Sequence, residues 1–130
     1  MIIDTSAILA ILFAEDDAAR YAEAIAAAPL CLMSAANYLE AGIIVDNQVN
    51  ATAGRQLDAL ISRASIQVEA VTREQADLAR QAYLDFGKGN HPARLNFGDC
   101  FAYALAKSRG LPLLFKGEDF SRTDVVAALR

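Results

Sequence analysis

Met1-Ile2-Ile3-Asp4-Thr5-Ser6-Ala7-Ile8-Leu9-Ala10 opens the chain, and the change of pattern inside it decides the fold. Met1–Ile3 reads as a short buried strand. From Ser6 to Phe13 the pattern is helical. Asp4 stands at the handover, on the C-terminal edge of a first strand, where open α/β sheets gather their ligand chemistry. An N-cap is the ordinary use of an Asp in that position. Thr5 or Ser6 can supply the cap instead, which would leave the Asp4 carboxylate free for other work.

The same alternation continues through the chain. Further strand-like runs are Leu30–Met33, Ile66–Val71 and Leu111–Phe115. Helical patterns cover Asp16–Ala28, Ala35–Val49, Ala51–Ser65, Arg73–Phe86 and Phe97–Arg109, and a last helical turn is expected over Asp124–Leu129. Short apolar strands alternating with helices specify an α/β fold whose parallel sheet is covered on both faces. The strands read as continuous apolar runs, as doubly covered strands do. Gly110 reads as a helix stop before Pro112 opens the last strand. Gly87-Lys88-Gly89-Asn90-His91-Pro92 is the one clear loop and holds the only histidine.

A chain of 130 residues suits one domain, 1–130, and can bury a core without disulfides. An apolar fraction of 55% is high for that length, so part of it is expected on an interaction surface such as a dimer face or a peptide groove. No apolar run reaches the roughly 18 residues of a membrane span. Asp4 interrupts the N-terminal apolar run and no basic residue precedes it, which argues against a signal peptide. Cys31 and Cys100 lack metal-type spacing and read as reduced core residues, consistent with a cytoplasmic protein.

The net charge of −4 is unevenly spread. Residues 1–87 carry 5 basic and 12 acidic side chains, whereas residues 88–130 carry 7 and 4. A basic rim around Asp99 and Asp119 would suit a polyanion held on a metal.

Four acids need explaining. Glu40 has Ala36, Asn37, Ile43 and Ile44 as its helical neighbours, so it lies on a largely apolar face with no Lys or Arg between Arg20 and Arg55. A charge there is costly unless paired or metal-bound. Asp99, in Asn96-Phe97-Gly98-Asp99, fits a capping box with Asn96, yet Gly98 leaves room for a close approach. Asp119 follows the last strand on the same edge as Asp4, with Glu118 as its competitor. An all-carboxylate site selects hard cations, Mg²⁺ or Mn²⁺. Such a cation activates water and stabilises a phosphoryl transition state.

Four blocks of the chain together resemble the PIN-domain ribonucleases of the VapC toxin type: Met1–Ala7, Met33–Glu40, Leu95–Cys100 and Leu113–Phe120. The resemblance covers essentially the whole chain. It implies a three-layer α/β/α sandwich with a central parallel sheet of four to five strands. It also implies Mg²⁺- or Mn²⁺-dependent endonucleolytic cleavage of RNA. Asp4, Glu40, Asp99 and Asp119 fall on the family's acidic quartet, with Asp4 and Asp99 as metal ligands and Ser6 as a hydroxyl that orders the pocket. The implied partners are a VapB-type antitoxin and a second copy of the chain. Gly117 is the one departure from the family's pattern. Lys88, Arg94, Lys116 and Arg122 are the candidate RNA contacts in the basic segment.

Two other readings compete. A phosphotransfer receiver domain would share Asp4 and Lys116 superficially, but neither Met33-Ser34 nor Val71-Thr72 offers the phosphate-accepting Asp at the end of a middle strand. A non-catalytic binding module would keep the fold and titrate an antitoxin without cleaving RNA.

Overall fold

The computed structural model describes residues 1–48 and 50–129. Four strands form one parallel sheet: β1 (Ile2–Ile3), β2 (Leu32–Ser34), β3 (Gln67–Glu69) and β4 (Leu113–Leu114). Six α-helices surround them: α1 (Thr5–Leu12), α2 (Ala18–Ala27), α3 (Ala35–Gln48), α4 (Ala51–Arg63), α5 (Arg73–Phe86) and α6 (Phe97–Arg109). The helix expected over Ala35–Val49 is therefore α3 up to Gln48, and Val49 lies outside the described residues. No described helix is long and apolar enough to cross a membrane.

The strands have two or three residues each, so few ladder hydrogen bonds hold them. Their side chains do most of the holding. Successive residues of a strand point to opposite faces. Ile2, Leu32 and Leu113 accordingly pack with Ala82, Ala102 and Leu105 of α5 and α6. Ile3, Met33 and Leu114 pack with Ala7, Ile8 and Val45 on the other side, under α1 to α4. All six strand residues are at most 1% exposed, and each such side chain contributes roughly 1.5–3 kcal/mol by leaving water. Two separate cores on the two faces of one sheet make the three-layer sandwich. β3 departs from the expectation of continuous apolar strands: Gln67 and Val68 are exposed, because β3 is an edge with only β2 beside it.

The strand order is β3-β2-β1-β4, with every pairing parallel. The chain moves outward from β1 to β2 and β3, then returns past β1 to lay down β4 on its other side. The direction of winding reverses between β1 and β4. In open sheets the crevice outside the carboxyl ends of those strands is the binding position. Asp4 follows β1 directly, and its backbone N–H donates to Leu114 O across that junction at 2.9 Å.

The C-terminal segment corrects the sequence reading. Asp124–Leu129 forms no helical turn. It runs beside β4, with Leu113 N donating to Val126 O at 2.8 Å and Ala128 N donating to Leu113 O at 2.9 Å. The open edge of β4 leaves backbone groups that need partners, and this demand outweighs a weak local helix preference. Asp124 likewise starts no helix. It accepts from the Tyr103 hydroxyl at 2.6 Å and from Lys107 Nζ at 3.0 Å, tying this tail to α6. Cys31 and Cys100 are buried and free.

Candidate active site

Asp4 is 4% exposed and caps α1. Its Oδ2 accepts from Ser6 N at 3.0 Å and from Ser6 Oγ at 2.6 Å. The expectation that Thr5 or Ser6 would relieve Asp4 of capping is thus overturned, because both hydroxyls are engaged elsewhere. Ser6 Oγ gives its proton to Asp4 and accepts from Lys116 N at 2.9 Å, which ties the turn after β4 to the turn after β1. Thr5 Oγ1 donates to Glu40 Oε1 at 2.6 Å. Capping and chemistry remain compatible at Asp4, since both bonds fall on one of its two oxygens.

Glu40 projects from α3, one turn beyond Asn37. Besides Thr5, its Oε1 faces Asn37 Nδ2 at 3.4 Å. Asn37 is fully buried, and its Nδ2 also donates to Gly98 O at 2.9 Å, joining α3 to the start of α6. Gly98 lies directly under the Glu40 carboxylate. The space that Gly98 leaves is therefore taken by Glu40 itself.

Asp99 closes a capping box at the start of α6. Asn96 Oδ1 accepts from Asp99 N at 2.9 Å, and Asp99 Oδ2 accepts from Asn96 N at 3.0 Å. Asp119 is exposed at the start of a short 3-10 turn, Phe120–Arg122, and makes no side-chain capping bond. Gly117 just before it has φ +102°, a conformation that side chains disfavour, which gives the departure from the family's pattern a backbone reason.

Electrostatics joins these acids into one site. Burial lifts the Asp4 carboxyl to about 6, opposed by its bonds from Ser6 and reinforced by the charge of Glu40. Burial lifts Asp99 to about 7, opposed by the Asn96 N–H, and the charges of Asp4, Asp119 and Glu40 each push it further. Asp119 is among the charges that push Asp99 up, which couples it to the cluster. Among the described residues no Lys or Arg pairs with any of the four. Nor do three acids close into a ready-made metal cage among those residues.

The basic segment divides in two. Lys107 pairs with Asp124, Arg109 with Glu69, and Lys116 with both Glu15 and Asp17. Those acids hold the Lys116 ammonium charged far above the usual lysine range. Lys88, Arg94 and Arg122 are exposed, and no carboxylate pairs with them among the described residues. His91 serves its own turn: Nδ1 accepts from Ala93 N at 3.0 Å and the ring stands edge-on to Phe86. Sequence reasoning did not single out Asn37 or the Thr5–Glu40 bond. The available signal was spacing, since Asn37 precedes Glu40 by one turn in an otherwise apolar stretch and Thr5 adjoins Asp4.

A sheet with this winding and an acidic cluster at its switch point matches a known class. The family model of the PIN domain covers residues 1–126. Ribonuclease VapC28 of Mycobacterium tuberculosis is 58% identical over 130 residues, spanning 99% of this chain and 98% of its own. Ribonuclease VapC of Mycolicibacterium smegmatis is 53% identical over 127 residues, spanning 98% of both. The chain belongs to the PIN-domain family and, within it, to the VapC ribonucleases. Two solved structures share its fold. VapC20 of Mycobacterium tuberculosis, described as a toxin that cleaves the sarcin-ricin loop, superposes with a TM-score of 0.74 at 24% identity over 96% of this chain and 95% of its own. A toxin–antitoxin complex from Klebsiella pneumoniae gives 0.75 at 15% identity over 97% and 94%. Membership of this family sets aside the receiver-domain reading.

Proposed function

We propose that this ribonuclease is a toxin that cleaves internal RNA phosphodiester bonds with Mg²⁺ or Mn²⁺ held by Asp4 and Asp99. The observation that carries the reading is uncompensated charge. Four acids crowd the switch point, two are lifted well above the ordinary carboxylate range, and Lys116, just past β4, turns its ammonium to Glu15 and Asp17 instead. Such a cluster favours a cation, and a donor set made only of oxygens favours a hard one. Magnesium is commonly held by one or two carboxylates with waters and substrate phosphate completing the shell. Bound there, the cation would supply Lewis-acid stabilisation and an activated water.

The chain's own residues divide the remaining work. Asp4 and Asp99 offer carboxylates fixed by the first turns of α1 and α6. Ser6 holds Asp4 in place from both sides of the β1–β4 junction. Glu40, its Oε1 held by Thr5, can orient the attacking water, and Asp119 completes the pocket. Lys88 and Arg94 are free to meet phosphates, Arg122 can meet one with the guanidinium donors left over from its bond to Pro92 O, and Lys116 is engaged in its own ion pairs. An antitoxin and a second copy of the chain are the proposed partners. A groove of about 530 Å³ between α5 and α6, lined by Tyr83, Phe97 and Phe101, supplies apolar surface for one of them.

The test uses antitoxin-free protein stripped of metal, structured RNA, and added Mg²⁺ or Mn²⁺, beside Asp4→Ala and Asp99→Ala. Metal-dependent cleavage by the wild type alone is expected. Equal cleavage by all three would defeat the metal-site reading. Folded wild type that cleaves no RNA would favour a binding module.

A further inference from the structure

We infer that Asn37 is a positioning residue for RNA cleavage, acting through Glu40; the inference rests on the ribonuclease reading of the site. The argument starts from a cost. Asn37 is 0% exposed, and its Oδ1 is the one buried side-chain polar atom among the described residues that has no hydrogen-bond partner. A buried carbonyl without a donor is destabilising, and a leucine of similar size would avoid the penalty. An orphan of this kind in a folded core calls for a reason.

The opposite end of the side chain provides it. Both polar neighbours, Glu40 Oε1 at 3.4 Å and Gly98 O at 2.9 Å, are acceptors only. The amide must therefore turn its NH₂ toward them, and the reversed orientation would set oxygen against two oxygens. Oδ1 is left facing the interior as a consequence. The shorter bond pins α3 to the N-terminus of α6, 61 residues away in sequence, at the residue just before Asp99. The longer contact, with Thr5 Oγ1 at 2.6 Å on the other side, steers the Glu40 carboxylate onto Gly98. Asn37 thereby sets the separation between Glu40 and Asp99 without touching substrate.

The test compares wild type, Asn37→Leu, Asn37→Ala, Glu40→Gln and the double variant Asn37→Leu/Glu40→Gln, by thermal melting and by steady-state cleavage of RNA at saturating Mg²⁺. Asn37→Leu should melt at or above the wild-type temperature while kcat falls about 10- to 100-fold, the scale of a misplaced catalytic group. KM should stay within about twofold. In the Glu40→Gln background, Asn37→Leu should change kcat by less than about twofold, since both act through one carboxylate. Asn37→Ala should repeat the kcat loss and carries the test should the leucine variant not fold. Wild-type kcat in either folded variant overturns the inference. So does a full multiplicative loss in the double variant. A folded wild type that cleaves nothing overturns the ribonuclease reading, and the inference with it.

Discussion

Glu40 fills the space that a side chain at Gly98 would need: a Cβ there would stand 2.2 Å from Glu40 Oε2. The atom in the way is the end of a flexible side chain, so Gly98→Ala displaces the carboxylate and spares the backbone. Alanine inside a helix is favoured over glycine by roughly 0.5–1 kcal/mol. Gly98→Ala should therefore melt no lower than wild type and lose about 10- to 100-fold in kcat. Steady-state kinetics beside a melting curve checks this, and full activity in a folded Gly98→Ala would release Glu40 from its assigned position.

The raised carboxyls make a prediction about pH. Folded Asp4 titrates near 6 and folded Asp99 near 7. The unfolded chain releases these protons near pH 4, so between about pH 4 and 7 the folded state binds more protons and stability falls as pH rises. Below that window the protonated acids cost the fold nothing; above it the penalty is complete. For buried Asp4 the lift to about 6 corresponds to of order 3 kcal/mol. Metal-free protein should melt at a higher temperature at pH 5.5 than at pH 8. Mg²⁺ or Mn²⁺ should raise the pH 8 value more than the pH 5.5 value, because the cation replaces the lost protons. A melting temperature indifferent to both would refute the site's charge balance.

Asp4 can be dissected into its two roles. Asp4→Asn keeps an acceptor for Ser6 N and removes the charge, whereas Asp4→Ala removes both. Each should lower kcat by about 10²–10³ or more. Only the alanine should also lose the cap, at about 1 kcal/mol, so at pH 8 Asp4→Asn should be the more stable of the pair. Equal melting temperatures would mean that the Ser6 bond contributes nothing to α1.

The basic rim should prove selective. With cleavage silenced by Asp99→Asn, RNA affinity measured against salt should lose about 0.7 from its logarithmic slope for each phosphate contact removed. Lys88→Ala and Arg94→Ala are expected to show that loss. Lys116→Ala is expected to leave the slope unchanged, because its ammonium is already held by Glu15 and Asp17. A smaller slope for Lys116→Ala alone would reverse the assignment.

The elements most readable from sequence are those whose signals are local. α5 and α6 have the bounds that periodicity gives, because Thr72 and Asn96 cap them and Gly110 at φ +63° stops the second. The tail after Asp124 departs from its helical pattern because its conformation answers to the β4 edge, which sequence neighbours do not reveal. The acids were legible one by one as residues out of place. What holds them was not: the Thr5 bond to Glu40 and the Asn37 bond to Gly98 cross 35 and 61 residues of chain. Nor could the summed charge of residues 88–130 tell paired cations from free ones, since the partners of Lys116 and Arg109 lie in other segments.

Two neighbouring strands, β1 and the edge strand β4, are spelled with doubled letters, Ile2-Ile3 and Leu113-Leu114. A slip of one residue exchanges the two faces of a strand, and here the two cores would receive the same side chains as before. Hydrophobicity is thus blind to the alignment of β1 against β4. The mark that breaks the tie is polar: Asp4 begins α1 where the first strand stops, and Ser6 Oγ receives the Lys116 N–H from beyond the other. The groups assigned here to chemistry are also the punctuation by which the sheet reads its own register.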